Sequence, residues 1–184
     1  MLYQITAFLL DIVAGLLGGA CLLRLYMQYH RVSFNNPLGR FVFALTDWLV
    51  LPLRRLVPAW RRWDLASAIA AWLVVTVKFV LLFLLAGQTS RMGLLPVLSL
   101  IGLLQLAVSG LTMLLIVHAV LSWVPGASPM LRDVVARLAD PLVAPLRRFI
   151  PLIGGVDLSP LAAIVLLQIA GIVLGSLMGA VFRL

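Results

Sequence analysis

Glutamate is absent from this 184-residue chain, and its six acidic residues are all aspartate. Only 11% of residues are charged, against about a quarter in an ordinary soluble domain. Cysteine occurs once, as Cys21 inside an apolar run, which excludes an internal disulfide framework. The two histidines, His30 and His118, make no metal-ligand spacing with that single sulfur. No strand pattern is present to carry a glycine-rich phosphate loop. No nucleophile, base and acid can be placed together. No catalytic, metal or cofactor residues are therefore expected, and the chain reads as a non-enzyme.

What the chain has in excess is apolar surface. Hydrophobic residues make up 64% of it, and the mean hydropathy is +1.16. A globule of this size leaves roughly a third of its unfolded surface exposed, too much to hide such a composition. The sequence implies an all-α membrane protein. Its basic balance, 14 Lys+Arg against six acids, does not point to nucleic acid, because the arginines flank apolar stretches rather than a polar folded surface. Anionic lipid headgroups are the expected counter-charge.

A membrane-crossing helix needs about 20 mostly apolar residues. Four stretches qualify, at residues 5–27, 66–86, 94–123 and 158–182. The third is longer than a span needs, so its helix is expected over residues 101–123, with the remainder interfacial or tilted. The first stretch has no Lys or Arg before its apolar core and is interrupted by Asp11, so it reads as an uncleaved helix rather than a signal. Arg31, Arg40, Arg54, Arg55, Arg61 and Arg62 lie between spans one and two. Arg132, Arg137, Arg147 and Arg148 lie between spans three and four, and only Arg91 and Arg183 lie on the opposite side. This bias places both long loops in the cytoplasm and both termini outside it.

The chain is internally duplicated. Asp47-Trp-Leu-Val-Leu-Pro-Leu-Arg-Arg-Leu-Val-Pro58 aligns without gaps on Asp140-Pro-Leu-Val-Ala-Pro-Leu-Arg-Arg-Phe-Ile-Pro151, and Asp64-Leu65 meets Asp157-Leu158 at the same offset. The units are residues 1–93 and 94–184, each a helix, a basic loop and a helix. Two spans per unit give both copies one orientation, related by a pseudo-two-fold axis along the membrane normal.

Each loop carries an amphipathic helix. Leu131, Val134, Val135, Leu138 and Leu142 recur at helical spacing, with Arg132, Asp133, Arg137 and Asp140 off that stripe. Phe41, Leu45, Trp48 and Leu49 form the first loop's stripe. Asn36-Pro37 and Ser128-Pro129 supply starts, and Ser159-Pro160 caps span four. Pro52, Pro58, Pro145 and Pro151 are expected to break the loop helices, leaving the arginine pairs on short turns. Such helices lie in the interface, with Arg54, Arg55, Arg147 and Arg148 at anionic lipid or an acidic partner.

The paired P-L-R-R-[LF]-[VI]-P segments, the second continuing as Leu152-Ile-Gly-Gly-Val-Asp-Leu-Ser-Pro160, resemble the YggT family, also called YlmG. The resemblance covers nearly the whole chain and is better in the second repeat. The first has Arg61-Arg62-Trp63 in place of the glycine pair and Ala66-Ser67 in place of Ser-Pro. The resemblance implies a duplicated bacterial inner-membrane protein without a settled biochemical activity. Its relatives are associated with osmotic tolerance, envelope and division processes, and with cofactor or nucleoid organisation in plastids.

Asp11 in span one and Lys78 in span two have opposite sign and similar depth, about 10–13 Å from the outer ends at 1.5 Å per residue. An ion pair between them is expected, either as a helix clasp or as part of a polar path. Arg24, near the inner end of span one, is expected to reach lipid phosphates unaided. Gly15 and Gly19, and Gly171, Gly175 and Gly179, mark small-residue stripes for packing between spans one and four, for a homo-oligomer or for a partner helix. Trp48, Trp60, Trp63 and Trp123 read as interfacial anchors, and Trp72 as a packing residue. Two functions follow from these features: a membrane scaffold or assembly factor, or a small oligomeric channel using Asp11, Lys78 and Gln168.

Overall fold

The computed structural model describes residues 1–57, 62–124, 126, 128–150 and 157–183. Six α-helices run in the order α1 (Leu2–Tyr29), α2 (Pro37–Leu56), α3 (Leu65–Leu85), α4 (Leu95–Trp123), α5 (Pro129–Arg147) and α6 (Ser159–Val181). A 3-10 segment, Thr89–Leu94, joins α3 to α4. Helices α1, α3, α4 and α6 are long and apolar enough to cross a membrane. Each satisfies its backbone internally, as hydrocarbon requires.

The third span differs from the expectation. It is one unbroken helix over Leu95–Trp123, not one confined to residues 101–123. Pro96 lies in its first turn, where the missing N–H breaks no helical bond, so nothing stops the helix there. At 1.5 Å per residue, 29 residues extend about 43 Å, longer than a hydrocarbon core of about 30 Å.

Helix α1 packs along α3, and α4 packs along α6, which gives the two repeats the same internal pairing. The units join through α4, which also lies against α1 and α3. Spans one and four, α1 and α6, are not a packed pair. The bundle is therefore closed on the α3 side of α4 and open on the other.

The loop helices sit across the ends of the spans. Helix α2 packs on α1 and α3, and α5 packs on α4 and α6. Val42, Thr46 and Val50 of α2 are buried, and Val50 joins Cys21, Ala66, Ala70 and Ala71 in one core cluster. On α5 the stripe Val135, Leu138, Ala139 and Val143 is buried, with the last two against Leu115 and Ala163. Leu138 also meets Met27 and Val32, and the Tyr26 hydroxyl donates to its carbonyl at 3.0 Å. These stripes face protein rather than acyl chains. In the first loop the expected stripe divides, with Leu49 packed against the core and Phe41 and Trp48 exposed. Helix α2 is apolar on two sides, and the narrower side fits against the small residues of α3.

Nor do the prolines end these helices. Helix α2 continues through Pro52, and α5 through Pro141 and Pro145. One proline removes one backbone bond and bends a helix without unwinding it when tertiary packing holds both sides. The arginine pairs consequently occupy the helix ends, where Arg54, Arg55 and Arg147 complement the negative end of the dipole. Pro58, Trp60, Arg61 and residues 151–156 lie outside the described residues.

Caps also differ in part. The Asn36 side chain accepts from Gly39 N–H at 2.8 Å as expected, but Ser128 makes no such bond. At α6 the cap is Asp157, which accepts from Ser159 N–H at 2.9 Å. At α3 it is Asp64, which takes both Ser67 N–H and, at 2.8 Å, the Ser67 hydroxyl.

Candidate functional site

Those two capping aspartates begin the site. Asp64 is fully buried, and its second oxygen receives the Arg54 guanidinium from the end of α2. Arg24, only 2% exposed, enters the same cluster from α1. Its guanidinium donates to Asp47 at 2.7 Å and to the Thr46 hydroxyl at 2.8 Å, and its Nε stands 3.8 Å from Asp64. It also lies 4.6 Å over the Phe43 ring. Two arginines and two aspartates so tie α1, α2 and α3 together. Arg24 does not reach lipid phosphates, because the carboxylates of α2 and α3 hold it inside.

The second repeat makes the equivalent arginine-to-aspartate contact onto its next span, and one arginine there holds both aspartates. Arg147 lies 3.1 Å from Asp140 and 2.8 Å from Asp157, tying the end of α5 to the start of α6. No arginine from α4 joins it, and its side chains remain 30–60% exposed. Burial pushes the Asp157 carboxyl up, but hydrogen bonds from Ser159 and Arg147 outweigh it and hold it below the usual carboxylate range. The repeated Asp…Pro-Leu-Arg…Asp spacing is thus a latch closing a loop helix onto the next span.

Each basic pair is divided by this geometry. Arg54 and Arg147 are latch residues, whereas Arg55 and Arg148 are exposed with no ion-pair partner among the described residues. Nothing in the pair spacing alone distinguishes the first arginine from the second. The signal lay in the two aspartates repeated at the same offset.

A second feature lies at membrane depth. Lys78 Nζ stands 3.0 Å from Asp11, joining α1 to α3. Beside that pair, Gly15, Gly102, Gln105 and Ser109 line a recess of about 140 Å³. Gln105 and Ser109 also line an adjoining cleft of about 540 Å³ between α4 and α6, with Thr112, Gln168 and Gly171. The polar strip continues from α1 across α4 to α6 where the bundle is open. Thr112 donates back to Val108 at 2.9 Å, whereas Gln105, Ser109 and Gln168 have no hydrogen-bond partner among the described residues. Gln105 and Ser109 were not singled out from sequence, since isolated polar residues in a long apolar run show no face.

The glycines fall partly along this cleft. Gly15 faces open space, and Gly171 and Gly175 meet only Val108 and Gln105, at 3.8 and 3.9 Å from where a Cβ would stand. Gly19 and Gly179 have no neighbour within 4 Å of that point. Close helix approach within the chain occurs instead at Gly18 against Leu106, and at Gly102 against Phe79 and Val75. Trp72 donates to Ser99 at 3.0 Å, an α3–α4 contact, while Trp48 and Trp63 are exposed. Among the described residues no cluster suited to a metal ion occurs.

Comparison with known proteins agrees with the duplicated architecture. The pattern of the CCB3/YggT family matches residues 3–85 and again residues 97–178. The chain is 34% identical over 178 residues to a Vibrio alginolyticus protein of the proC 3′ region, covering 96% of both chains. It is 37% identical over 165 residues to the Escherichia coli protein YggT, covering 88% of this chain and 85% of that one. A shorter match, 42% over 55 residues, covers 30% of this chain and 22% of YlmG homolog protein 2, chloroplastic, of Arabidopsis thaliana. No solved structure matches. With its spans, its two repeats and these relatives in agreement, the chain belongs to the CCB3/YggT family of membrane proteins.

Proposed function

We propose that this protein is a non-enzymatic scaffold or assembly factor of the bacterial inner membrane, acting in envelope, division or cofactor-assembly processes. The observation that carries this reading is the pair of latches. Arg54 on Asp64, and Arg147 on Asp140 and Asp157, fix α2 and α5 to the spans and leave them as a rigid platform. Rigid elements hold a docking surface better than loops do. That platform displays Phe41, Trp48 and Leu51, at least half exposed, together with Arg55 and Arg148. The arginine bias of the loops supports a cytoplasmic position for this side and an outer one for both termini. Arg55 and Arg148 meet anionic headgroups or an acidic partner there.

A second reading, a small oligomeric channel for ion or osmotic homeostasis, is favoured by the polar cleft alone. That cleft opens sideways between α1 and α6, so further copies are needed to enclose a path. Flux through proteoliposomes separates the two. The scaffold reading predicts no ion or osmolyte flux above protein-free vesicles. Flux that Asp11→Asn or Lys78→Met alters, with folding intact, contradicts it and supports the channel.

A further inference from the structure

The open side of the bundle presents polar groups to the hydrocarbon that the fold leaves partly uncovered, the Asp11–Lys78 pair among them. Asp11 is 60% exposed and Lys78 21%, and the hydrogen-bonding capacity of Gln105, Ser109 and Gln168 is unmet among the described residues. In lipid such groups are stable only when another polar surface covers them.

The chemistry of the strip indicates the cover. It offers one anion and one cation, and carboxamides that both donate and accept, so its net charge is zero and it complements itself. Both copies of the chain insert with the same orientation, and a two-fold axis along the membrane normal preserves depth. Asp11 and Lys78 lie at nearly equal depth, about 10–14 Å from the terminal ends of their helices. Such an axis therefore sets Asp11 of one copy level with Lys78 of the other. Gln105 is set level with its own equivalent, while Gly15 and Gly171 thin the walls for close approach.

We propose that a second copy of this chain covers the cleft, forming an isologous dimer across the open α1–α6 face in which the Asp11–Lys78 pair of each copy stays closed and the exposed side of each Asp11 carboxylate also faces the other copy's Lys78.

The test is single-molecule photobleaching of labelled protein in lipid nanodiscs, with a charge exchange. Wild type is expected to bleach in two steps. Asp11→Lys alone and Lys78→Asp alone each place like charges at the axis and shift the population to one step. Mixing those two variants restores two-step complexes containing both labels. One-step bleaching of wild type, or more than two steps, overturns the proposal, as does two-step bleaching that the exchange leaves unchanged. Cysteine crosslinking in a Cys21→Ala background decides the matter should the charge variants fail to fold. Gln105→Cys and Ser109→Cys, which line the recess beside Asp11 and Lys78, are expected to form crosslinked dimers on oxidation, and Val77→Cys, on an exposed face away from the cleft, is not. Crosslinking at Val77→Cys but not at the cleft positions overturns it.

Discussion

Arg147, in the last turn of α5, lies 2.8 Å from Asp157 at the threshold of α6, as its repeat equivalent Arg54 lies against Asp64. The two latches share the arginine-to-aspartate contact onto the next span but not its surroundings, for Arg147 also holds Asp140 whereas the equivalent Asp47 is held by Arg24. Asp64 is fully buried and also approached by Arg24, whereas Asp157 is partly exposed. Equivalent sequences therefore carry unequal energies.

Arg24 is itself buried and makes charge-assisted bonds to Asp47 and the Thr46 hydroxyl, while Asp64 keeps Arg54 when Arg24 is removed. Arg24→Met is expected to destabilise the folded protein by about 1.5–3 kcal/mol. Arg147→Gln, in the exposed latch, should cost about 0–1 kcal/mol. Denaturant unfolding in mixed micelles, followed by tryptophan fluorescence, measures both. Equal losses would contradict the difference in burial.

Gly39 is the glycine in the first loop helix that packing demands. A Cβ there would stand within 3 Å of the Phe34 backbone, which cannot move without disturbing the Asn36 cap. Gly39→Ala is expected to lower stability by about 1–3 kcal/mol. Gly19→Ala and Gly179→Ala, which meet open space, should remain within about 0.5 kcal/mol. A thermal-shift series across the three variants checks the order.

The Asp157 latch also gives a pH dependence. Its carboxyl is held below its ordinary value, so its contribution is present above the unfolded-state value and is lost as pH falls through the folded one. Amide exchange at the end of α5 is expected to quicken below the usual carboxylate range. Asp157→Asn should show the faster exchange at neutral pH already, with a smaller acid step. Exchange indifferent to both acid and substitution would remove Asp157 from the latch.

Much of this architecture is legible in the residues. Four apolar runs and the repeated Asp-to-Arg-to-Asp spacing mark the spans and the duplication, because hydrocarbon length and internal symmetry both leave linear traces. The opposite signs of Asp11 and Lys78 at matching depth brought two distant residues together for the same reason. Arg24 was not legible. An arginine at the end of a span ordinarily snorkels, and the carboxylates that hold it come from α2 and α3. The glycine stripes mark faces without saying what they face; that depends on α6 lying on α4 rather than on α1. Pro52 and Pro145 are legible as helix breakers only where no packed neighbour holds the helix on both sides.

The division of labour inside each arginine pair is the claim on which the rigid platform rests. Spin labels on exposed positions of α2 and α5 in reconstituted protein test it directly, comparing Arg54→Gln with Arg55→Gln and Arg147→Gln with Arg148→Gln. Neutralising Arg54 or Arg147 should increase label mobility on its own loop helix, while neutralising Arg55 or Arg148 should leave the spectra unchanged. Equal effects from both members of a pair, or none from either, would contradict the latch.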